Sequence, residues 1–295
     1  MAGSSFQLTT FLYGLGGGRR RIPAAPTPKQ TRTGLLPVAE GRVELVGQDS
    51  TCHAVQYDFT SCGSAAGAIA LADVNESLAQ WLQGHEPDLP VGLANLEMPS
   101  VSLDTGGRFE WLQKNLKQIS NRRALGPFTW PSGAGTPPWG AKRVMSLGSG
   151  VQYIDRMVVN TSMRQRERTL TAAAVAADLG YPVLLYVGGD SSKGWKTAVP
   201  RHVVVLHGGP APIEETEGLL DDLDTEARLT KMAQEIKDRL QAARGEVFDP
   251  SLLIYDPATG TNTAVTMKQL MSNSVPATAL GGWPHIVWMV LPVQR

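Results

Sequence analysis

Gln56, Cys62, His202 and Asp256 occur in that order along a chain of 295 residues, and together their side chains are the kit for thiol chemistry. Cys62 stands in QYDFTSCGSAAGAIALAD, six residues after Gln56 and at the head of a small-residue stretch. His202 opens the apolar run HVVVLHG, and Asp256 closes another, SLLIYDPATG. Catalysis by a thiol needs a thiolate, a base to make it, a group to orient the base, and donors for the oxyanion. A cysteine at a helix start has its thiolate stabilised by unpaired N–H groups and the positive dipole end, and those N–H groups can also hold an oxyanion. Gly63, Ser64, Ala65 and Ala66 add no bulk beside it, so a carbonyl can approach closely. An imidazole at a strand edge suits taking the thiol proton and later protonating a leaving amine. A carboxylate at a strand end can hold the second ring nitrogen.

Each of these residues also has a plainer reading. A free cysteine is often simply buried, Gln56 reads equally as a loop residue, and His202 as a structural histidine at a strand end. Asp-Pro followed by Thr-Gly is ordinary turn chemistry. His207 lies five residues beyond His202, on the opposite face of a regular strand, so only one of the two can face Cys62. His285 is the reserve base and Asn262 the alternative orienting residue. The sequence contains no paired-cysteine motif and no histidine pair at helical spacing, so no metal is expected; Cys52, His53 and Asp58 are too mixed a set. Gly148-Ser149-Gly150 lacks the nucleophile-elbow pattern. The GLGGG run follows no strand and is not a dinucleotide fingerprint.

The elements that must position these groups read as follows. Residues 1–40, with a Gly run, Arg19 to Arg21 and a Pro/Thr-rich stretch, form a flexible arm. Ser61 to about Trp81 is helical, with Gly84 as its stop. Residues 85–165 are a variable, loop-rich region holding one helix, Phe109 to Ile119, and the stretch GPFTWPSGAGTPPWGAK. Trp130 and Trp139 there line a groove or pack under a long loop. Arg166 to Leu179 is an Ala-rich helix stopped by Gly180. YPVLLYVGG is a strand, a loop with Lys193 and Trp195 follows, then the strand HVVVLHGG. Residues 214–244, within an insertion at 212–246, read as a charged amphipathic helix with acids at its start and bases at its end. Then come the strand SLLIYDP, the turn ATGTNT, a short helix or strand around VTMKQLM, and the apolar run HIVWMVLPV. An early Cys-bearing helix packed on a late, mainly antiparallel sheet is an α+β arrangement with long insertions, built as one domain over 41–295.

Composition narrows the function classes. Lys plus Arg and Asp plus Glu number 27 each, so the net charge of zero argues for no nucleic-acid partner. No apolar stretch is long enough for a membrane span. The N-terminal charges follow the apolar stretch, unlike a secretory signal. Two cysteines make no disulfide framework, so a cytoplasmic setting, or export without a cleavable signal peptide, is expected.

Three segments carry a family resemblance: QYDFTSCGSAA, AADLGYPVLLYV, and HVVVLHG with IYDPATG. They resemble papain-like cysteine peptidases, most of all the bacterial group that cuts double-glycine leaders. The resemblance implies a papain-like fold with Cys62 as nucleophile, His202 as base and Asp256 as its orienting residue. Gln56 would give a side-chain N–H to the oxyanion hole, beside the backbone N–H of Cys62, and no cofactor would be needed. The chain departs from the family in its long gap between His202 and Asp256. It also has Ser61 before the cysteine, where Asp is common, and Gly63-Ser64 after it, where Pro is common. The expected activity is hydrolysis of a peptide or related amide through a thioester. The alternatives are a toxin-like effector acting as deamidase or transglutaminase on a protein, and an inactive binding component. A protein partner would use helix 214–244 or the arm.

Overall fold

The computed structural model describes residues 32–86, 93, 103–159, 162–189, 199–208 and 252–293. Residues 1–31 of the expected arm, the loop with Lys193 and Trp195, and the charged helix 214–244 with its insertion 212–246 lie outside the described residues.

Among the described residues are six α-helices: α1 Cys62–Val74, α2 Glu76–Leu82, α3 Thr105–Asn121, α4 Pro138–Ser149, α5 Met163–Asp178 and α6 Met267–Ser272. The strands are β1 Gly41–Arg42, β2 Glu44–Val46, β3 Thr51–His53, β4 Gln152–Met157, β5 Val183–Gly188, β6 Pro200–Gly208, β7 Leu252–Asp256, β8 Thr261–Val265 and β9 His285–Val293. Seven form one sheet in the order β1-β8-β7-β6-β5-β9-β4, with every pairing antiparallel; β2 and β3 form a separate ribbon. The fold is therefore α+β, with the cysteine-bearing helix packed on an antiparallel sheet.

Both faces of the sheet are covered. Val203, Val205, Leu184 and Tyr186 join a core with the residues of α1 to α4. Val204, Leu206, Val183, Leu185 and Val187 join a second core with α5, α6 and the 3-10 turn Ala277–Leu280. That burial explains why β5 and β6 read as continuous apolar runs instead of alternating ones. Every residue of α1 is buried, and its small Ala and Gly residues let it lie close to β6.

Several local features differ from the expectations. The single helix from Ser61 to Trp81 is broken at Asn75, whose side chain accepts from Leu78 N at 3.0 Å and starts α2. In the region 85–165, α3 begins at Thr105, capped by Asp104 accepting from Gly107 N at 2.7 Å. A second helix, α4, starts inside the Pro/Gly-rich stretch, because Pro138 sits at its first turn, where no N–H is needed. The same region supplies the edge strand β4. Within the stretch expected to belong to the arm, Arg32 is buried against Asp73 with a 2.6 Å ion pair, and Leu35 and Leu36 enter the core.

Candidate active site

The sheet brings His202 and Asp256 together from neighbouring strands across 54 residues of sequence: His202 Nε2 lies 2.6 Å from Asp256 Oδ1. Both are buried, at 8% and 2% exposure. The carboxylate is fixed by its own turn, since Oδ1 also accepts from Ala258 N at 2.8 Å and Gly260 N donates to Asp256 O at 2.7 Å. The two readings of Asp256, turn residue and partner of the imidazole, thus hold at once. Oδ2 is buried with no hydrogen-bond partner, so the ring is the carboxylate's one side-chain partner among the described residues.

Cys62 is the first residue of α1. The preceding Ser61 does not cap the helix with its side chain. Its hydroxyl instead donates to Asp58 O at 2.8 Å and accepts from Asp58 N at 3.0 Å. The first-turn N–H groups are therefore left uncapped beside the thiol, the arrangement that favours an anion there. Gly63 lets this turn sit tightly: a Cβ on it would stand 2.8 Å from Thr136 Cβ and 3.4 Å from Val203 Cγ2.

The imidazole is bonded to Asp256 and lies near enough to Cys62 for the thiol to influence its charge. Burial pulls its pKa down, but the hydrogen bonds to Asp256 and to Cys62, and the charges behind them, outweigh that and raise it to about 9. With Nε2 on Asp256, Nδ1 is the nitrogen left for Cys62. Gly281 packs against the ring's edge with φ +60°, and a Cβ there would meet His202 Cδ2 at 2.3 Å. Tyr186 lies close enough for the thiol's charge to add to the burial that holds its phenol well above its ordinary pKa. Its hydroxyl donates to Thr136 O at 3.0 Å.

Gln56 stands beside this group but is engaged elsewhere. Its Nε2 donates to Asp58 O at 2.8 Å, and its Oε1 is buried without a partner. Its backbone N donates to Pro257 O at 2.8 Å, which ties it to the turn carrying Asp256.

The remaining candidates are used for other purposes. His207 is fully buried, with Nε2 at 3.0 Å from Asn262 Oδ1 and Nδ1 at 3.5 Å from Arg32 Nη2. Arginine can only donate, so Nδ1 accepts and Nε2 carries the proton. Burial and the Arg32 charge push its pKa down to about 3. Asn262 thus orients His207, not His202. His285 Nδ1 lies 3.0 Å from Asn273 Nδ2, and His53 Nε2 lies 3.0 Å from Gly260 O. The Cys52 thiol is pushed up to about 11 by burial, with Asp104 adding to it. Trp130 and Trp139 meet edge to face at 5.4 Å, and Trp139 reaches Trp288 at 6.2 Å. Among the described residues no group of three His, Cys, Asp or Glu side chains is placed to hold a metal ion, and no helix is long and apolar enough to cross a membrane.

Residues that sequence reasoning passed over are Thr136, Gly281, Gln113 and Lys117. The signal for Gly281 was its place in the Gly-Gly pair before Trp283. Gln113 and Lys117 are one turn apart on α3, a spacing that marks a shared helix face. No protein-family model matches the chain, and no curated protein matches it.

Proposed function

We propose that this chain is a papain-like cysteine hydrolase that cleaves a peptide or related amide bond. The observation that carries the reading is the 2.6 Å His202–Asp256 bond, with Cys62 near enough to help raise the imidazole's pKa and placed at an uncapped helix N-terminus. In this reading the Cys62 thiolate attacks the amide carbon, and the C–O π electrons move to oxygen. The oxyanion is held by the Cys62 backbone N–H and by the Gln56 amide, which has one N–H beyond that given to Asp58 O. His202 then gives its proton to the leaving amine, the C–N bond breaks, and a thioester remains. Neutral His202 takes a proton from water as the hydroxide oxygen attacks that thioester, and Cys62 leaves as the thiolate, regenerating the ion pair. Asp256 keeps the ring oriented and stabilises its charged form. No cofactor enters the cycle. Hydrolysis and transfer to an amine share every step up to the thioester, so the effector reading differs only in the acceptor.

The test is capture of the thioester. The full-length protein is mixed with p-nitrophenyl acetate and followed by intact mass, in water and with added glycinamide. An acetyl adduct on Cys62, removed by neutral hydroxylamine and absent in Cys62→Ala, is the expected result. Acetylglycinamide formed in preference to acetate would favour transferase chemistry. Wild type that never acquires the adduct, or acquires it equally without Cys62, overturns the reading.

A further inference from the structure

We infer that Gln113 and Lys117 of α3 are positioning residues of the oxyanion site, holding the 55–61 segment that delivers both Gln56 and Cys62. This rests on the hydrolase reading above. Gln113 grips the backbone on either side of Gln56: its Nε2 donates to Val55 O at 3.1 Å, and its Oε1 accepts from Tyr57 N at 3.1 Å. Gln56's own N–H is bonded to Pro257 O. Gln56 is therefore held between α3 on one side and the Asp256 turn on the other.

One helical turn on, Lys117 is 7% exposed. Its Nζ donates to Thr60 Oγ1 at 2.5 Å, lies 3.6 Å from Asp58 Oδ2, and sits 5.6 Å from the centre of the Tyr57 ring. Thr60 in turn donates to Asp58 Oδ1 through its N (2.6 Å) and its hydroxyl (2.8 Å). Asp58 O receives Gln56 Nε2 and the Ser61 hydroxyl. The ammonium therefore braces the side chains of Asp58 and Thr60, and the carbonyl of that braced Asp58 sets the direction of the Gln56 amide and draws the Ser61 hydroxyl off the helix end. Neither α3 residue reaches the thiol or the imidazole through any hydrogen bond among the described residues. Both act through the loop.

That separation predicts a split between two reactions of the same thiol. Alkylation by iodoacetamide is a displacement that passes through no oxyanion. Acylation by p-nitrophenyl acetate forms one before p-nitrophenolate leaves. A loosened oxyanion donor costs on the order of 10- to 1000-fold in acylation. The experiment measures both rates in wild type, Lys117→Met, Gln113→Ala and Thr60→Val, with far-UV circular dichroism and thermal melting to check folding. The expected result is a fall in acylation of at least about 10-fold, carried by kcat and not KM, at an iodoacetamide rate and pH profile unchanged within about twofold. Acylation equal to wild type in folded variants overturns the inference, as does a matched fall in both rates. Thr60→Val, which removes the hydroxyl that joins Lys117 to Asp58 Oδ1, keeps the test open should the other two fail to fold. If wild-type alkylation is indifferent to His202→Ala, the hydrolase reading itself has failed, and this inference falls with it.

Discussion

Gly281 decides where the His202 ring sits, and replacing it by alanine tests how tightly that ring must be held. Its φ of +60° lies in the left-handed region, where an L-residue costs roughly 1–2 kcal/mol. Gly282, with φ +84° and nothing within 4 Å of a Cβ, would bear the backbone cost alone. The difference between the two substitutions therefore isolates the contact with the imidazole. A Cβ on residue 281 would stand 2.3 Å from Cδ2 and 2.8 Å from Nε2, against ordinary contact from 3.4 Å. The ring must then retreat by about 1 Å, which carries the 2.6 Å bond to Asp256 out of hydrogen-bonding range. A misplacement of that size costs on the order of 100-fold in rate. Both variants should melt lower by roughly 2–4 °C for each kcal/mol lost. Only Gly281→Ala should lose Cys62 labelling by iodoacetamide at pH 6, by about two orders of magnitude. Equal labelling in the two variants would refute the claim that ring position governs the thiol.

Other outcomes follow from the charges. His202 is raised to about 9 from 6.5, so its contribution to stability is complete below pH 6.5 and is lost as pH rises to about 9. Urea midpoints should fall across that window in wild type and stay flatter in His202→Gln. His207 is depressed to about 3, so its contribution is present above pH 6.5 and is lost as pH falls towards 3, and acid titration of His207→Gln should show a shallower decline. The amine-releasing step needs the imidazolium, so kcat/KM on an amide substrate should decline above about pH 9. Asp73→Ala leaves Arg32 buried without its 2.6 Å partner and should destabilise by about 3–5 kcal/mol, read from urea unfolding.

The candidate residues could be picked out because each sits in a short segment with its own local signal. Cys62 heads a run of small residues, and His202 and Asp256 mark the ends of apolar runs that had to be buried strands. α+β organisation followed from the same runs. What stayed hidden depends on contacts distant in sequence. Arg32 and Asp73 are 41 residues apart, and nothing in the Pro/Thr-rich stretch before residue 40 marks where it enters the core. α4 was obscured because prolines that elsewhere mark a loop are tolerated at a helix start. The clamp of Gln113 and Lys117 was invisible for a different reason. Polar residues on an amphipathic helix read as a solvated face, and only the fold shows that this face turns to residues 55–60. Asn262 was a reasonable orienting candidate by residue type, but it pairs with Tyr255, which pairs with Val205, and so shares the face of His207, two residues on; Thr261, one residue before it, is the residue paired with Asp256.

The central claim is that Cys62, His202 and Asp256 act as one unit. Its most direct measurement is the rate of Cys62 alkylation by iodoacetamide from pH 5 to 9, read by intact mass with peptide mapping, in wild type, His202→Ala and Asp256→Asn. Cys52→Ala serves as the background, since that thiol is pushed up to about 11 and should stay unlabelled over the range. The account predicts rapid labelling at pH 6 in wild type and in Cys52→Ala, lost on replacing His202 and sharply reduced on replacing Asp256. Slow labelling at pH 6 that neither substitution alters would contradict it.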